Sequence, residues 1–101
     1  MDPGIPDIFI SDVVRSTSGR DTGGIYYVIQ ADPIYLYLAN GKDRTLDKPK
    51  RKKRKHVQKV LRSETRVADK LRSGDKVLNG ELRRDLADIC QDMQSQNLGG
   101  S

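Results

Sequence analysis

The chain has 101 residues, of which 35% are hydrophobic, 5% aromatic and 33% charged. A chain of this length has room for one domain with a small core, because it buries only about two thirds of its unfolded surface. Its single cysteine excludes an intramolecular disulfide and a cysteine-rich zinc site. No apolar run approaches the ~20 residues that cross a bilayer, and the N-terminus lacks the basic start of a signal peptide. We therefore expect a soluble, cytoplasmic protein with no membrane partner.

Positive charge is concentrated in one segment. The formal net charge is +5, but residues 42–62 carry eleven Lys or Arg against two Asp, a local balance of +9, which leaves the rest of the chain at −4. Six cationic residues follow one another from Lys50 to Lys55. This asymmetry is typical of a protein with one surface that meets a polyanion.

Short strands are predicted for the first 60 residues. Segments rich in β-branched, aliphatic and aromatic residues, bounded by turn-forming residues, lie at 7–16, 25–29, 34–39 and 56–60. In the third segment isoleucine and leucine alternate with tyrosine from Ile34 to Leu38, which predicts one core face and one half-exposed face. Several short strands with tight turns indicate a small, strongly bent antiparallel barrel.

Glycine-containing loops connect the predicted strands. Residues 16–24, STSGRDTGG, contain Gly19, Gly23 and Gly24, which permit a positive φ. Asn40-Gly41 is a hairpin signal after the third strand. We expect a projecting loop at 16–24 and a tight turn at Gly41.

Beyond Leu61 the apolar residues follow a helical period. They fall at steps of four, four, three and four, at Leu78, Leu82, Leu86, Ile89 and Met93. Asn79 is suited to cap this helix, with Glu81 in the first turn. A shorter helix is predicted within residues 63–74, capped by Ser63 and stopped near Gly74.

Two helices would form a hairpin as a C-terminal extension, residues 62–94. We expect its apolar face to pack on the strands, although it could instead bind a partner or self-associate. Cys90, next to that face, is expected to be a packed thiol. Residues 95–101 have no pattern and are expected to form a disordered tail.

The order of short motifs in residues 5–61 resembles that of KOW-type RNA-binding proteins, in particular small bacterial ones related to a class of large-subunit ribosomal proteins. The matching pieces are Val13-Val14-Arg15-Ser16, Gly19-Arg20-Asp21 with Gly23, Asn40-Gly41, Lys48-Pro49-Lys50 and Lys55-His56. The resemblance implies an SH3-like barrel of about five antiparallel strands, RNA binding, and association with ribosomes or translation.

The basic segment supplies a mechanism for RNA binding. Each Lys or Arg that neutralises a phosphate releases condensed counterions. Because six consecutive cations cannot all face one way on a strand, we expect a flexible basic loop, residues 42–55, anchored between two strands beside the GRDTG loop. The predicted RNA-binding residues are Arg15, Ser18, Arg20, Lys42, Arg44, Lys48, Lys50, Arg51, Lys52, Lys53, Arg54, Lys55, His56 and Lys59. The predicted turn-forming residues of the KOW loop are Gly19, Gly23 and Gly41.

Several residues have a structural alternative. The four tyrosines, Tyr26, Tyr27, Tyr35 and Tyr37, could stack on unpaired bases or pack in the core. Arg20 could contact a phosphate or pair with Asp21. The basic run could also be a solvated insert or resemble a nuclear-import signal.

Nothing in the sequence indicates catalysis. Ser, His and Asp are present without the spacing of a triad or of paired carboxylates in a cleft. His56 has no His or Cys neighbour and is expected to be a surface residue rather than a metal ligand. The sequence therefore predicts a non-catalytic RNA-binding protein with no cofactor, metal or small-molecule substrate, and ribosomal RNA or the ribosome as partner. The alternatives are a protein-interaction module and a non-specific DNA-binding protein.

Overall fold

The computed structural model describes residues 8–99, with side chains through residue 94. Within these residues there are five strands and two helices. In chain order they are β1 (Asp12–Ser16), β2 (Ile25–Ala31), β3 (Tyr35–Ala39), β4 (Lys50–Lys53), β5 (Val57–Arg62), α1 (Arg66–Ser73) and α2 (Asn79–Gly99). A 3-10 turn, Arg54–His56, connects β4 to β5. The strands form one antiparallel sheet in the order β4-β3-β2-β1-β5.

Four of these strands lie where the apolar segments predict them, with one shortened. β1 begins at Asp12, and Phe9 and Ile10 precede it in a turn rather than extending it. Within this turn Asp12 N–H donates to the carbonyl of Phe9 at 3.1 Å, and Ser11 takes a φ of 76°. This left-handed residue interrupts the extended backbone, because a strand requires negative φ. Residues 5–7 of the predicted barrel lie outside the described residues.

The remaining strand, β4, is formed by the basic run itself. The prediction of a flexible loop over residues 42–55 is therefore wrong for Lys50–Lys53. Lys50–Lys53 pairs with β3 in a regular antiparallel register, from Leu38 opposite Lys50 to Tyr35 opposite Lys53. The backbone pairing fixes the chain, and strand alternation separates neighbouring charges onto two faces.

Apolar side chains pack on both faces of the sheet. One cluster, on the face we call the inner face, consists of Ile8, Val14, Tyr26, Val28, Leu36, Leu38 and Val57. The other cluster lies on the helix-bearing face, where Val13, Tyr27 and Ala39 meet Val67, Ala68, Leu82, Leu86 and Ile89. The helices therefore share a core with the sheet, which confirms the prediction that they pack within the chain.

The sheet is bent but not closed. Its register shifts between Val13 and Val14 and between Val28 and Gln30, and such irregularities increase local twist and curvature. The edge strands β4 and β5 do not pair with each other in the described part of the chain. The prediction of a mainly β, antiparallel arrangement followed by two helices is confirmed at this level.

The shorter helix, α1, begins two residues later than a Ser63 cap would place it. Its N-cap is Thr65, whose Oγ1 accepts a hydrogen bond from Ala68 N–H at 3.2 Å. Ser63 is instead buried in a side-chain network described below. Gly74 ends the helix in the left-handed conformation with a φ of 80°, as predicted.

The longer helix, α2, buries three of its five predicted apolar positions, Leu82, Leu86 and Ile89. Met93 is half-buried against the same core, whereas Leu78 precedes the helix and is 56% exposed. Asn79 begins the helix, but its Oδ1 accepts from Leu46 N–H at 2.8 Å and thus ties the β3–β4 connection to α2. The helix continues through Gly99, so residues 95–99 are helical where the sequence predicted a disordered tail from 95 to 101; residues 100 and 101 lie outside the described part. Cys90 is half-buried.

Candidate nucleic-acid interface

The basic strand β4 divides its side chains between the two faces of the sheet. Lys50 and Lys52 stand opposite Leu38 and Leu36, which belong to the inner cluster. Arg51 and Lys53 therefore project from the helix-bearing face, and both are exposed. The run is thus two sets of cations with different surroundings.

Lys52, which the sequence predicted as an RNA contact, has its ammonium group bonded inside the fold. Its side chain is 9% exposed and its Nζ donates to Ser16 Oγ and the carbonyl of Ser18, both at 2.7 Å. It also forms a salt bridge with Asp21 Oδ1. Since these acceptors occupy the three protons of the ammonium group, no donor is left for a phosphate.

Asp21 is the anionic partner that holds Lys52. Burial raises the pKa of Asp21, but hydrogen bonds from Lys52 and Ser16 outweigh it, so the net pKa lies below its ordinary value of 3.8. Ser16 Oγ donates to Asp21 Oδ1 at 3.1 Å. The alternative of an Arg20–Asp21 pair is wrong, because the described ion pairs of Asp21 involve Lys52 and not Arg20.

Arg54, another predicted RNA contact, is also hydrogen-bonded within the fold. Its Nε donates to the carbonyl of Asp32 at 2.8 Å, and its Nη1 donates to the carbonyl of Ile8 at 3.1 Å. The guanidinium group thereby joins the β2–β3 turn to the segment that precedes β1. His56 is half-buried, and its carbonyl accepts from Thr17 N–H at 2.9 Å.

Three of the predicted cations meet in one cleft of about 540 Å³. Arg20 comes from the GRDTG loop, Arg44 from the β3–β4 connection and Lys50 from the start of β4. The cleft is also lined by Asp21, Thr22, Gly24, Tyr26 and Asp43. Because Lys52 neutralises Asp21, one acidic group, Asp43, remains against the three cations, and the cleft is electropositive. We call it the basic cleft.

None of Arg20, Arg44 and Lys50 forms an ion pair within the described part of the chain. Their charges are therefore available to a ligand. Three cations from different segments that line one groove can together neutralise several charges of a polyanion.

Glycine conformation positions both sides of this cleft. The predicted turn formers have positive φ angles: 86° at Gly19, 89° at Gly23 and 77° at Gly41, which confirms the prediction. The φ angle of Gly24 is not positive. At Gly41 the backbone also lies against α2: a Cβ there would overlap the carbonyl oxygen of Asn79 and lie 3.0 Å from Arg83 N. Only glycine fits both requirements, so Gly41 holds the β3–β4 connection against the helix.

The remaining predicted residues lie apart from the cleft or beside it. Lys42 and Lys48 are exposed in the β3–β4 connection, and Lys55 is exposed in the 3-10 turn. Arg15 is exposed on β1, which β2 and β3 separate from β4. Lys59 Nζ lies 3.3 Å from Asp12 Oδ2, and the half-buried Ser18 offers its carbonyl to Lys52. The structure therefore brings together a subset of the predicted set.

Sequence reasoning missed a buried polar network on the helix-bearing face. Tyr27, which is fully buried, donates to Asp85 Oδ2, and its hydroxyl lies 2.8 Å from Ser63 Oγ. Thr65 Oγ1 also donates to Asp85 Oδ2, at 2.9 Å. Burial raises the pKa of Tyr27 to about 12, with the hydrogen bond to Asp85 as a further cause. No local pattern signals this network, because its members come from β2, the β5–α1 connection and α2.

The tyrosines divide between core and surface. Tyr26 and Tyr27 are buried, so the alternative of base stacking is wrong for both. Tyr35 and Tyr37 are half-buried on the helix-bearing face of β3, and the guanidinium of Arg51 lies 4.5 Å from the centroid of the Tyr35 ring.

No protein-family model matches this chain, and no curated protein matches it in sequence. The resemblance to KOW-type proteins therefore stays a prediction that rests on the quoted motifs. Among residues 8–99, no three His, Cys, Asp or Glu side chains are grouped so that they could hold a metal ion. Nor does any helix in that range have both the length and the apolar character to span a membrane.

Proposed function

We propose that the protein binds RNA without catalysing a reaction, and that the basic cleft contacts the phosphate backbone. The observation that carries this proposal is the convergence of Arg20, Arg44 and Lys50 in one groove without ion pairs to the described residues. Each contact would release condensed counterions, which is the main source of phosphate-binding free energy. Lys42 and Lys48 are exposed in the same β3–β4 connection and would extend the contact along the RNA backbone.

The motif resemblance supports RNA, rather than another polyanion, as the ligand. The GRDTG loop that carries the resemblance is the segment that lines the basic cleft. We accordingly propose a KOW-type module with an SH3-like arrangement of its five strands, acting in the cytoplasm in association with ribosomal RNA or the ribosome. Two features support this arrangement. The five strands form one bent antiparallel sheet, and a 3-10 turn joins its two edge strands, β4 and β5.

A salt-dependent binding assay tests the proposal. The triple variant Arg20→Gln, Arg44→Gln, Lys50→Gln should bind a structured RNA more weakly, and the slope of log K against log salt should fall in magnitude by about 2 to 3. Neutralising the whole run from Lys50 to Lys55 would confound this test, because Lys52 and Arg54 are bonded inside the fold.

The matched control removes three charges elsewhere. Arg66 and Arg84 line a different cleft and Lys76 lies between the two helices; all three are exposed. Their triple substitution by glutamine changes the net charge equally and should leave the salt slope nearly unchanged. Equal loss in both variants would mean that net charge alone governs binding and would refute a role for the cleft. Competition by duplex DNA and heparin then distinguishes RNA from other polyanions.

Protein binding is a second candidate function, because apolar side chains are exposed at one end of the sheet. Phe9 and Ile34 are each 60% exposed, and Phe9 and Ile10 line a cleft of about 500 Å³. Exposed apolar groups of this kind occur at protein interfaces. Substitution of Phe9 and Ile34 by serine should leave RNA binding unchanged if the basic cleft is the functional site. Loss of RNA affinity in that variant would place the contact at the apolar end of the sheet instead.

A further inference from the structure

One row of side chains crosses the helix-bearing face of three strands. Gln30 of β2 is opposite Tyr37 of β3, and Tyr37 is opposite Arg51 of β4. Directly opposed residues project to the same face with Cβ atoms about 5 Å apart. Gln30 and Arg51 are exposed and Tyr37 is half-buried. An amide, an aromatic ring and a guanidinium group therefore stand side by side.

The next row of the same face adds an aromatic and a cationic group. Tyr35 is opposite Lys53, and strand alternation puts both on the face of Tyr37 and Arg51. The guanidinium of Arg51 lies 4.5 Å from the Tyr35 ring centroid, so this cation already contacts the face of an aromatic ring. Lys53 forms no ion pair with any residue in the described part of the chain.

Tyr35 and Tyr37 lie outside the core that the helices share with the sheet. The helices pack on Val13, Tyr27 and Ala39, and neither Tyr35 nor Tyr37 belongs to either apolar cluster. The tyrosines are thus not part of the core, and their half-buried rings beside Arg51 and Lys53 suit a ligand that is both aromatic and anionic.

We infer that the row formed by Gln30, Tyr37 and Arg51 is a stacking platform for an unpaired base of a single-stranded nucleic acid. Tyr37 supplies the ring on which the base stacks, and the Gln30 amide can donate to and accept from the edge of the base. Arg51 and Lys53 meet the adjoining phosphates. This inference rests on the proposed function and deepens it, since it names single strands rather than duplexes as the preferred ligand. A duplex would present stacked bases whose faces are not free.

Binding to matched oligonucleotides tests the platform. A labelled RNA strand of about 12 nucleotides is compared with an abasic strand of equal length and with the corresponding duplex, by fluorescence anisotropy. The abasic strand retains the phosphates and lacks the bases. The wild-type protein should bind the base-containing strand about tenfold more tightly than the abasic one. Tyr37→Leu should abolish this ratio while Tyr37→Phe, which keeps the ring, retains it.

An additional measurement needs no variant. A 2-aminopurine placed in the strand should lose fluorescence when the wild-type protein binds, because stacking on an aromatic side chain quenches it. Equal wild-type affinity for base-containing and abasic strands, or a Tyr37→Leu variant that weakens both equally, overturns the stacking platform. Either result leaves phosphate binding by the basic cleft in place. If the triple variant of Arg20, Arg44 and Lys50 binds the abasic strand as tightly as the wild type, the proposed function fails instead.

Discussion

Lys52 and Asp21 form a salt bridge between the middle of the basic run and the loop that carries the GRDTG motif. The two side chains are 9% and 17% exposed, and Asp21 Oδ2 is buried without a hydrogen-bond partner among the described residues. A buried carboxylate that loses its cation is costly, because neither water nor another donor replaces the contact. The pair therefore fixes the GRDTG loop to β4 and so sets the position of the basic cleft.

Removal of the Lys52 ammonium group should destabilise the protein. We expect Lys52→Met to lower the free energy of unfolding by about 2 kcal/mol in a urea titration, because Asp21 stays buried without its partner. Lys53→Met is the matched control: it removes the same group from the exposed side of the same strand and should change stability by no more than about 0.5 kcal/mol. The double variant Lys52→Met, Asp21→Asn should be more stable than Lys52→Met alone. Additive losses would show that the two groups do not interact.

The pH dependence of stability should contain a contribution from Asp21. Since hydrogen bonding to Lys52 and Ser16 holds its folded pKa below 3.8 despite burial, the carboxylate stabilises the fold above that pH. The contribution is lost as the pH falls through the folded pKa. Urea titrations at several pH values should thus show a gap between wild type and Asp21→Asn that narrows below about pH 4. A gap that stays constant with pH would contradict this assignment.

Gly41 and Gly23 provide a matched pair for the contact between the β3–β4 connection and α2. Both have positive φ, but a Cβ at Gly41 meets the backbone of α2, whereas a Cβ at Gly23 has no heavy atom within 4 Å. Gly23→Ala should cost only the conformational strain, about 1 kcal/mol. Gly41→Ala should cost about 3 kcal/mol, because overlap with the helix backbone is added to that strain. Equal losses in thermal denaturation would mean that the connection moves away from the helix without cost.

The hydroxyl of Tyr27 should stabilise the fold through its buried network. Tyr27→Phe leaves Asp85 and Ser63 without this partner and should cost about 1 to 2 kcal/mol, while Tyr37→Phe, on the open part of the sheet, should be nearly neutral.

The raised pKa of Tyr27 gives this prediction a pH signature. The pKa of Tyr27 is about 12 in the folded protein, against an ordinary value of 10.0. The protonated hydroxyl therefore contributes its full stabilisation below pH 10, and this contribution is lost as the pH rises towards 12. The stability of the wild type should therefore approach that of Tyr27→Phe above about pH 10. A difference that persists to pH 12 would contradict the role of the hydroxyl proton.

Local features of the sequence determined most of the secondary structure. The alternation of leucine and tyrosine around Leu36 and the four-three spacing of Leu82, Leu86 and Ile89 are properties of neighbouring residues, so they could be read without the fold. The same is true of Gly41, where a hairpin signal predicted a left-handed residue. The density of positive charge was equally evident, and with it the expectation of a polyanion as ligand.

Only the tertiary structure decided which cations remain available. In a run of six similar residues no pattern distinguishes Lys52 from Lys50. Both lie on the inner face of β4, and their different positions along the strand bring Lys52 against Asp21 and leave Lys50 in the basic cleft. The Tyr27 network likewise depends on partners 36 and 58 residues away. Burial and hydrogen bonding between distant segments depend on how the sheet curves and where the helices pack, and the spacing of residues along the chain does not encode these distances.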